Sequence, residues 1–322
     1  MDLEVVPFES RFTEPAAALL AGGHRQAQGA GALDLADVEV ARRLVDAVLD
    51  AGPAVAAVRD GRLVGYLAAA LTGPPGDQRA RIRIHQHAAA PTGRRQTYRA
   101  LYAALSGHLV AAGRFEHTVL VAAGHRDVTD CLTELGFGID QIKGIRPPQP
   151  PPATARAARV RPARPEDLAE LTLESQKFHA QPPMLRPALI DLRAIHDGFR
   201  QALTEDRQLL LVAEEHGHLT GMTQAGPDAR FRATATIGIA VVTASARSRG
   251  TGTALLAGMT DWAAAHGFET CGTEWTSANP VGDAFWRGHG FTPVRYTLTR
   301  LIDARVTWAH ADLSYRGFLP DP

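Results

Sequence analysis

Cysteine is nearly absent: Cys131 and Cys271 are the only two in 322 residues. That excludes a disulfide framework and any cysteine-built metal cluster. An excess of one charge is missing too, with acidic and basic residues balanced at 34 each. Nothing in the net charge points to nucleic acid or a membrane, so an anionic partner must be held by local groups. No apolar run approaches a membrane span. The start "MDLEVVPFESRF" lacks the apolar core of a signal peptide, so a cytoplasmic location is expected. Thirteen histidines are scattered, and the pairs His85/His87 and His216/His218 have no cysteine or carboxylate at ligand spacing, so no metal is expected. His85 and His87 are expected to share one face of a strand. What remains is an ordinary globular composition, 45% apolar and 21% charged, long enough for two domains.

The segment "RPPQPPPATARAAR" (146–159) reads as an extended linker, since each proline fixes φ and removes a donor. It divides the chain into residues 1–145 and 160–322. After it, Val160 to Pro162 reads as a strand, and Pro165, Glu166 and Asp167 suit a helix's first turn. Helical regions to about Ser175 and over "LIDLRAIHDGFRQAL" follow. "QLLLVAEEHGHLTGMTQA" is a hairpin turning at His216-Gly217 and "ATATIGIAVVTA" a strand. "TALLAGMTDWAAAHG" is an amphipathic helix with Leu255, Met259 and Trp262 on one face, stopped by Gly267. Then come a strand "ETCGTEWT", a short helix "VGDAFWRGHG" and a last strand "PVRYTLTRLI".

The first half repeats this order. With an offset of 154, Ala254-Leu255 maps to Ala100-Leu101, Gly267 to Gly113 and Gly290-Phe291 to Gly136-Phe137. The hairpin recurs as "VRDGRLVGYLAA". Agreement in order and spacing reads as a tandem duplication. At this offset Gly250 and Gly252 become Gln96 and Tyr98, and Asn279 becomes His125. If only one copy works on a ligand, it is expected to be the second.

The stretch "ASARSRGTGTAL" (244–255) joins a strand to a helix. Such a turn presents unpaired N–H groups at a positive dipole end, Gly250 and Gly252 admit close approach, and Arg247 and Arg249 add cations. Taken alone, so short a motif reads more readily as a glycine-rich turn with solvated arginines. The spacing excludes a P-loop, which needs four residues between glycines and then Gly-Lys. A dinucleotide fingerprint fails at Leu255 and lacks the βαβ setting.

Arg247-x-x-Gly250-x-Gly252 after "IAVVTASA" resembles the pyrophosphate loop of the GCN5-related N-acetyltransferase (GNAT) superfamily. "VRPARPEDLAEL" resembles that family's first strand and helix, and "SANPVGDAFWRGHGF" its segment of Asn, short helix and Gly-Phe. The likeness covers residues 160 to about 300, and the first half resembles the same fold with its cofactor motif degraded. It implies two tandem α/β (α+β) domains, each a mixed, mostly antiparallel sheet flanked by helices, the second binding acetyl-CoA. Pantetheine would pair with the strand at Ile239, Val241, Val242 and Thr243, the N–H near Val241 serving the thioester carbonyl. The pyrophosphate would lie on Ser248, Arg249, Gly250, Thr251, Gly252 and Thr253, beside Arg247. Asn279 would bond the pantetheine arm, and Phe285 and Trp286 would line the thiol end; core packing is an equal account of Phe285.

The resemblance implies acetyl transfer to the amine of a small molecule such as an antibiotic, amino-sugar or amino-acid-like compound. The tandem arrangement resembles that of mycothiol synthase and of antibiotic self-resistance enzymes. No nucleic-acid or membrane partner is implied, and the chain is expected to be a monomer or homodimer. The pattern breaks where relatives carry an acidic Tyr: here stands Trp286, whose indole releases no proton usefully. Either the thiolate leaves through water, or another group such as Tyr296 or Cys271 supplies the proton. Glu274 is the candidate base, against the plainer account of a solvated strand glutamate, and "ATATIG" carries no acid. The acceptor would be chosen between Lys177 and Arg207, including His179, Met184 and Asp191. Trp308, Tyr315 and Phe318 suggest a tail that packs back. A non-catalytic acyl-CoA-binding module, or a decarboxylase-like acyl-CoA enzyme, is the alternative.

Overall fold

The computed structural model describes residues 3–26, 35–71, 78–150, 158–181, 191–229, 231 and 233–308. Two compact units emerge, Met1–Asp140 with Val294–Pro322, and Gln141–Pro293. The linker separates the two copies of the sequence, but each compact unit takes its last strand from the other copy.

In the first unit β1 (Glu4–Pro7), β2 (Ala54–Arg59), β3 (Arg62–Ala68) and β5 (His87–Ala89) form an antiparallel sheet. The short β4 (Arg79–Ile82) runs parallel to β6 (Glu116–Ala122), which pairs antiparallel with β13 (Thr292–Leu301). Helices α1 (Thr13–Gln26), α2 (Val38–Asp46), α3 (Arg94–Ala111) and α4 (Arg126–Glu134) flank these strands. In the second unit β8 (Arg159–Pro162), β9 (Leu209–Glu215), β10 (His218–Pro227) and β11 (Thr234–Val242) are antiparallel neighbours. β11 then runs parallel to β12 (Thr270–Thr276), which pairs antiparallel with β7 (Gly138–Arg146). Its helices are α5 (Leu168–His179), α6 (Leu192–Ala202), α7 (Thr251–Ala265) and α8 (Pro280–Gly288).

Local chemistry accounts for these elements. Both hairpins turn through two left-handed residues, Asp60-Gly61 and His216-Gly217, which matches the twist of two-residue loops. Alternation along β9 sends Leu210 and Val212 to a core with Met222, Val241, Leu171 and Phe199, and Leu211 and Ala213 to Leu255 of α7. Helices therefore cover both faces of this sheet. Helix α7 ends at Gly267, in the left-handed region as expected. The repeat is equally plain: β6 and β12, and α4 and α8, start and end 154 residues apart.

Two corrections concern the first copy. The strand matching β11 is broken into β4 and β5, so His85 lies in the intervening turn and shares no strand face with His87. Helix α3 begins one turn earlier than the offset implies, with Gly93 as its left-handed N-cap, the role Gly250 has for α7. A left-handed glycine at this cap thus belongs to the fold and is not lost from the first copy. Of the tail, Ala304–Trp308 forms a short 3-10 turn, while Tyr315 and Phe318 lie outside the described residues.

Side-chain volume distinguishes the two last strands. A Cβ on Gly144 of β7 would come 2.6 Å from Trp275 Cζ3 on β12. The equivalent residue of β13 is Leu298, fully buried in the first core beside Val121, the counterpart of Trp275. One unit pairs a large residue with none, the other two of middling size. Leu in place of Gly144 should therefore destabilise by roughly 1–3 kcal/mol or more through overpacking. The double change Gly144→Leu/Trp275→Val should recover much of that in thermal denaturation; no recovery would refute this packing account.

Candidate functional site

Parallel pairing between β11 and β12 covers only Thr234↔Thr270 to Ile237↔Thr273. Beyond it β11 continues to Val242 along β10, and β12 to Thr276 along β7, so the strands fork. The cause lies in β11: Gln224 pairs with Ile239 and Ala225 with Ile237, which leaves Gly238 as a bulge. A bulge bends its strand and increases local twist. Gly238 sits one residue past the last parallel pair.

The backbone beyond the bulge differs in detail from the sequence expectation. Thr243 N–H donates to Thr220 O at 3.0 Å. Alternation then turns Ile239 and Val241 toward β10 as well, and Ala240 and Val242 toward the fork. The groups available to a ligand belong to Ala240 and Val242 rather than Val241, whose side chain packs in the core below α5.

The chain then enters α7 through Arg247, Ser248, Arg249 and Gly250. Ser248 and Gly250 both have positive φ, 60° and 88°. The Gly250 cap supplies no side-chain acceptor, whereas α2, α6 and α8 are capped by Asp37, Asp191 and Asn279. An α7 terminus without a side-chain cap, next to two arginines, suits an anion. Arg247 Nε donates to Val242 O at 3.4 Å, and Arg249 is exposed, 4.0 Å from Glu215. Thr251 Oγ1 donates to Ala246 O at 3.4 Å, tying the turn together.

Gly252 meets a different need from Gly250. A Cβ there would lie 3.1 Å from the Phe285 ring. Phe285 thus packs over the first turn of α7, with the His289 ring tilted against it at 4.2 Å between ring centroids. His289 Nδ1–H donates to Phe285 O, which leaves Nε2 to accept from Thr253 Oγ1 at 3.2 Å. Sequence reasoning missed His289; only the packing of α8 on α7 brings it here. Trp286 is buried against Phe291 and Phe285. Asn279 Oδ1 accepts the Gly282 N–H at 3.0 Å and so caps α8.

Glu274 is exposed on β12, just past the fork. Tyr296 lies on β13 in the first unit and packs against that unit's core. Cys271 is buried, and burial pushes its thiol up to about 11, which makes it a poor proton donor. Of the acceptor-side residues, His179 bonds Ser175 O, Asp191 caps α6, and Met184 lies outside the described residues.

The corresponding place in the first unit is a small cavity lined by His24, His87, Tyr98 and His125. His87, 154 positions before Val241, is fully buried between the two separated strands. Its Nε2 meets Leu120 O of β6 at 2.9 Å and its Nδ1 meets Tyr98 Oη at 2.7 Å. His125, where the second copy has Asn279, bonds Gly23 O and lies against His24. Burial lowers His24, His85 and His87 to about 4 from 6.5. Groups depressed in the folded state bind protons first in the unfolded one, so stability falls as pH drops from 6.5 toward 4. The first unit's melting temperature should be flat above neutrality and decline steeply between pH 6.5 and 4.5. His87→Asn should flatten that slope in calorimetric melts; an unchanged slope would show that His87 does not set it.

Among the described residues no group of three metal-ligating side chains occurs, and no helix is long and apolar enough to cross a membrane. Residues 169–291 match the acetyltransferase (GNAT) family. No curated protein sequence matches the chain. Among solved structures, a tandem GNAT protein from the clavulanic acid biosynthesis pathway aligns over 93% of this chain and 98% of its own, with 19% identity and TM-score 0.52. A GCN5-related N-acetyltransferase from Sphaerobacter thermophilus aligns over 92% and 94%, with 17% identity and TM-score 0.59. A GNAT-family acetyltransferase from Colwellia psychrerythraea aligns over 94% and 100%, with 13% identity and TM-score 0.51. At these identities the likeness speaks for the tandem fold.

Proposed function

Starting from a chain whose residues 169–291 form a GNAT-family acetyltransferase domain within a tandem GNAT fold, we propose that this acyltransferase moves an acetyl group from acetyl-CoA to the amine of a small molecule. The observation that carries this reading is the fork between β11 and β12 next to the α7 N-terminus. Acetyl-CoA, when bound, supplies an activated acyl carbonyl and a thiolate leaving group. The N–H groups of Ser248 to Thr253 and the Arg247 and Arg249 guanidiniums would hold its pyrophosphate. Outward-facing backbone of Ala240 and Val242 would bind pantetheine, and the Asn279 amide could donate to it while Oδ1 caps α8.

Amide formation needs an unprotonated amine, and Glu274, open to solvent on β12, would take that proton through water. Trp286 supplies no proton and the Cys271 thiol is buried, so the thiolate would leave protonated by solvent. The acceptor lies within the class of antibiotic, amino-sugar or amino-acid-like amines, and the fold match to a protein of clavulanic acid biosynthesis favours a small molecule. The packed Trp286 also motivates a second reading, a non-catalytic acyl-CoA-binding module.

Calorimetry and thiol release test both. One acetyl-CoA is expected per chain, with thiol release on adding a reactive amine from a panel. Gly250→Asp should lower acetyl-CoA affinity at least tenfold. Gly250→Ala, which adds backbone strain without charge, should cost less, and Gln96→Asp in the first copy should change nothing. Binding that survives Gly250→Asp would refute the pyrophosphate site. Tight binding without turnover on any amine favours the second reading, and turnover of malonyl-CoA without an acceptor favours decarboxylation.

A further inference from the structure

A buried charge network sits at the fork of the second unit, and its cation comes from the strand of the first copy. Lys143 of β7 has a side chain only 3% exposed; its Nζ donates to Asp228 Oδ2 at 2.7 Å and to Thr236 Oγ1 at 2.8 Å. Thr236 Oγ1 in turn donates to Asp228 Oδ2 at 2.5 Å, and Asp228 Oδ1 accepts the Phe231 N–H at 3.0 Å. The Phe231 ring lies 5.2 Å from the ammonium. Gly272 of β12 makes this approach feasible, since a Cβ there would lie 2.9 Å from Thr236 Oγ1 and 3.1 Å from Lys143 Nζ.

The placement relates the network to the chemistry. Thr236 and Gly272 are register partners one pair before Ile237↔Thr273, the last pair before the strands part. Lys143 is the register partner of Glu274, the first β12 residue past the fork. Partners across a ladder point to one face, so Glu274, Lys143, Thr236 and Asp228 share it. Through these bonds β7 and the turn after β10 are tied to β11 across β12, one pair before the strands part. A buried pair of this kind is weak grounds for stability, because desolvation offsets its attraction. Its location at the fork asks for another account.

We propose that Lys143, Asp228 and Thr236 are positioning residues for acyl transfer: they fix the fork so that the acceptor amine meets the face of the thioester carbonyl. The inference rests on the acyl-transfer reading above and adds that a residue of the first copy completes the site of the second. Small errors of placement are expensive in such a geometry, a displacement of about 1 Å costing on the order of 100-fold in rate.

The decisive variant is Thr236→Val, which keeps the shape and removes the hydroxyl at the centre of the network. With acetyl-CoA and the best amine of a panel, kcat should fall on the order of tenfold. KM for acetyl-CoA and the melting temperature should stay near wild type, and Thr236→Ser should restore kcat. Lys143→Met should lower kcat further if it folds. Thr236→Val with wild-type kcat would overturn the proposal, as would a lowered melting temperature with kcat intact, since either assigns the network to structure alone. A wild-type protein that neither binds nor turns over acetyl-CoA would instead sink the acyl-transfer reading, and this inference with it.

Discussion

The fork between β11 and β12 is the constraint on which the second unit's chemistry depends. Two parallel strands that stayed paired to their ends would satisfy each other's backbone and leave nothing for a ligand. One extra residue, Gly238, prevents this by bending β11 just after its fourth pair with β12. The rest follows from that bend. Ala240 and Val242 face the opening, and the chain arrives at α7 with a glycine cap that uses no side chain. Phe285 and His289 then press α8 against the first turn of that helix.

The first unit carries the same separation further. Its strand has broken into β4 and β5, and the imidazole of His87 bridges the gap to Leu120. A side chain now makes the contact that a ligand would make in the second copy. This sharpens what the glycines mean. Gly93 and Gly250 both cap a helix in the left-handed region, so that glycine reflects backbone geometry. Gly252 admits Phe285, a packing need of the second copy alone. The inference to a ligand therefore rests on the fork and the uncapped terminus together, and not on glycine content.

Duplication also explains why the two halves are not self-contained. Near-equivalent last strands could each complete either sheet by hydrogen bonding alone. Volume and charge separate them: Gly144 makes room for Trp275, Leu298 fills the first core, and Lys143 finds Asp228. A buried ammonium placed without a carboxylate would be strongly unfavourable, so the pair adds specificity to the choice even where it adds little stability.

Much of this was legible in the sequence, because periodicity, turn chemistry and repeats are local or one-dimensional signals. Both hairpins, the α7 pattern and its Gly267 stop, the Asn279 and Gly-Phe segment and the 154-residue repeat needed no coordinates. So did the exclusion of two other phosphate motifs. What only the tertiary structure decided depends on strand partners. Tyr296 went to the first unit because β13 pairs with β6, and Lys143 entered the second because β7 pairs with β12. The fork-facing backbone fell on Ala240 and Val242 because a single bulge resets alternation. Strand pairing is a contact between distant residues, and two copies of one strand look alike until the side chains they must meet are known.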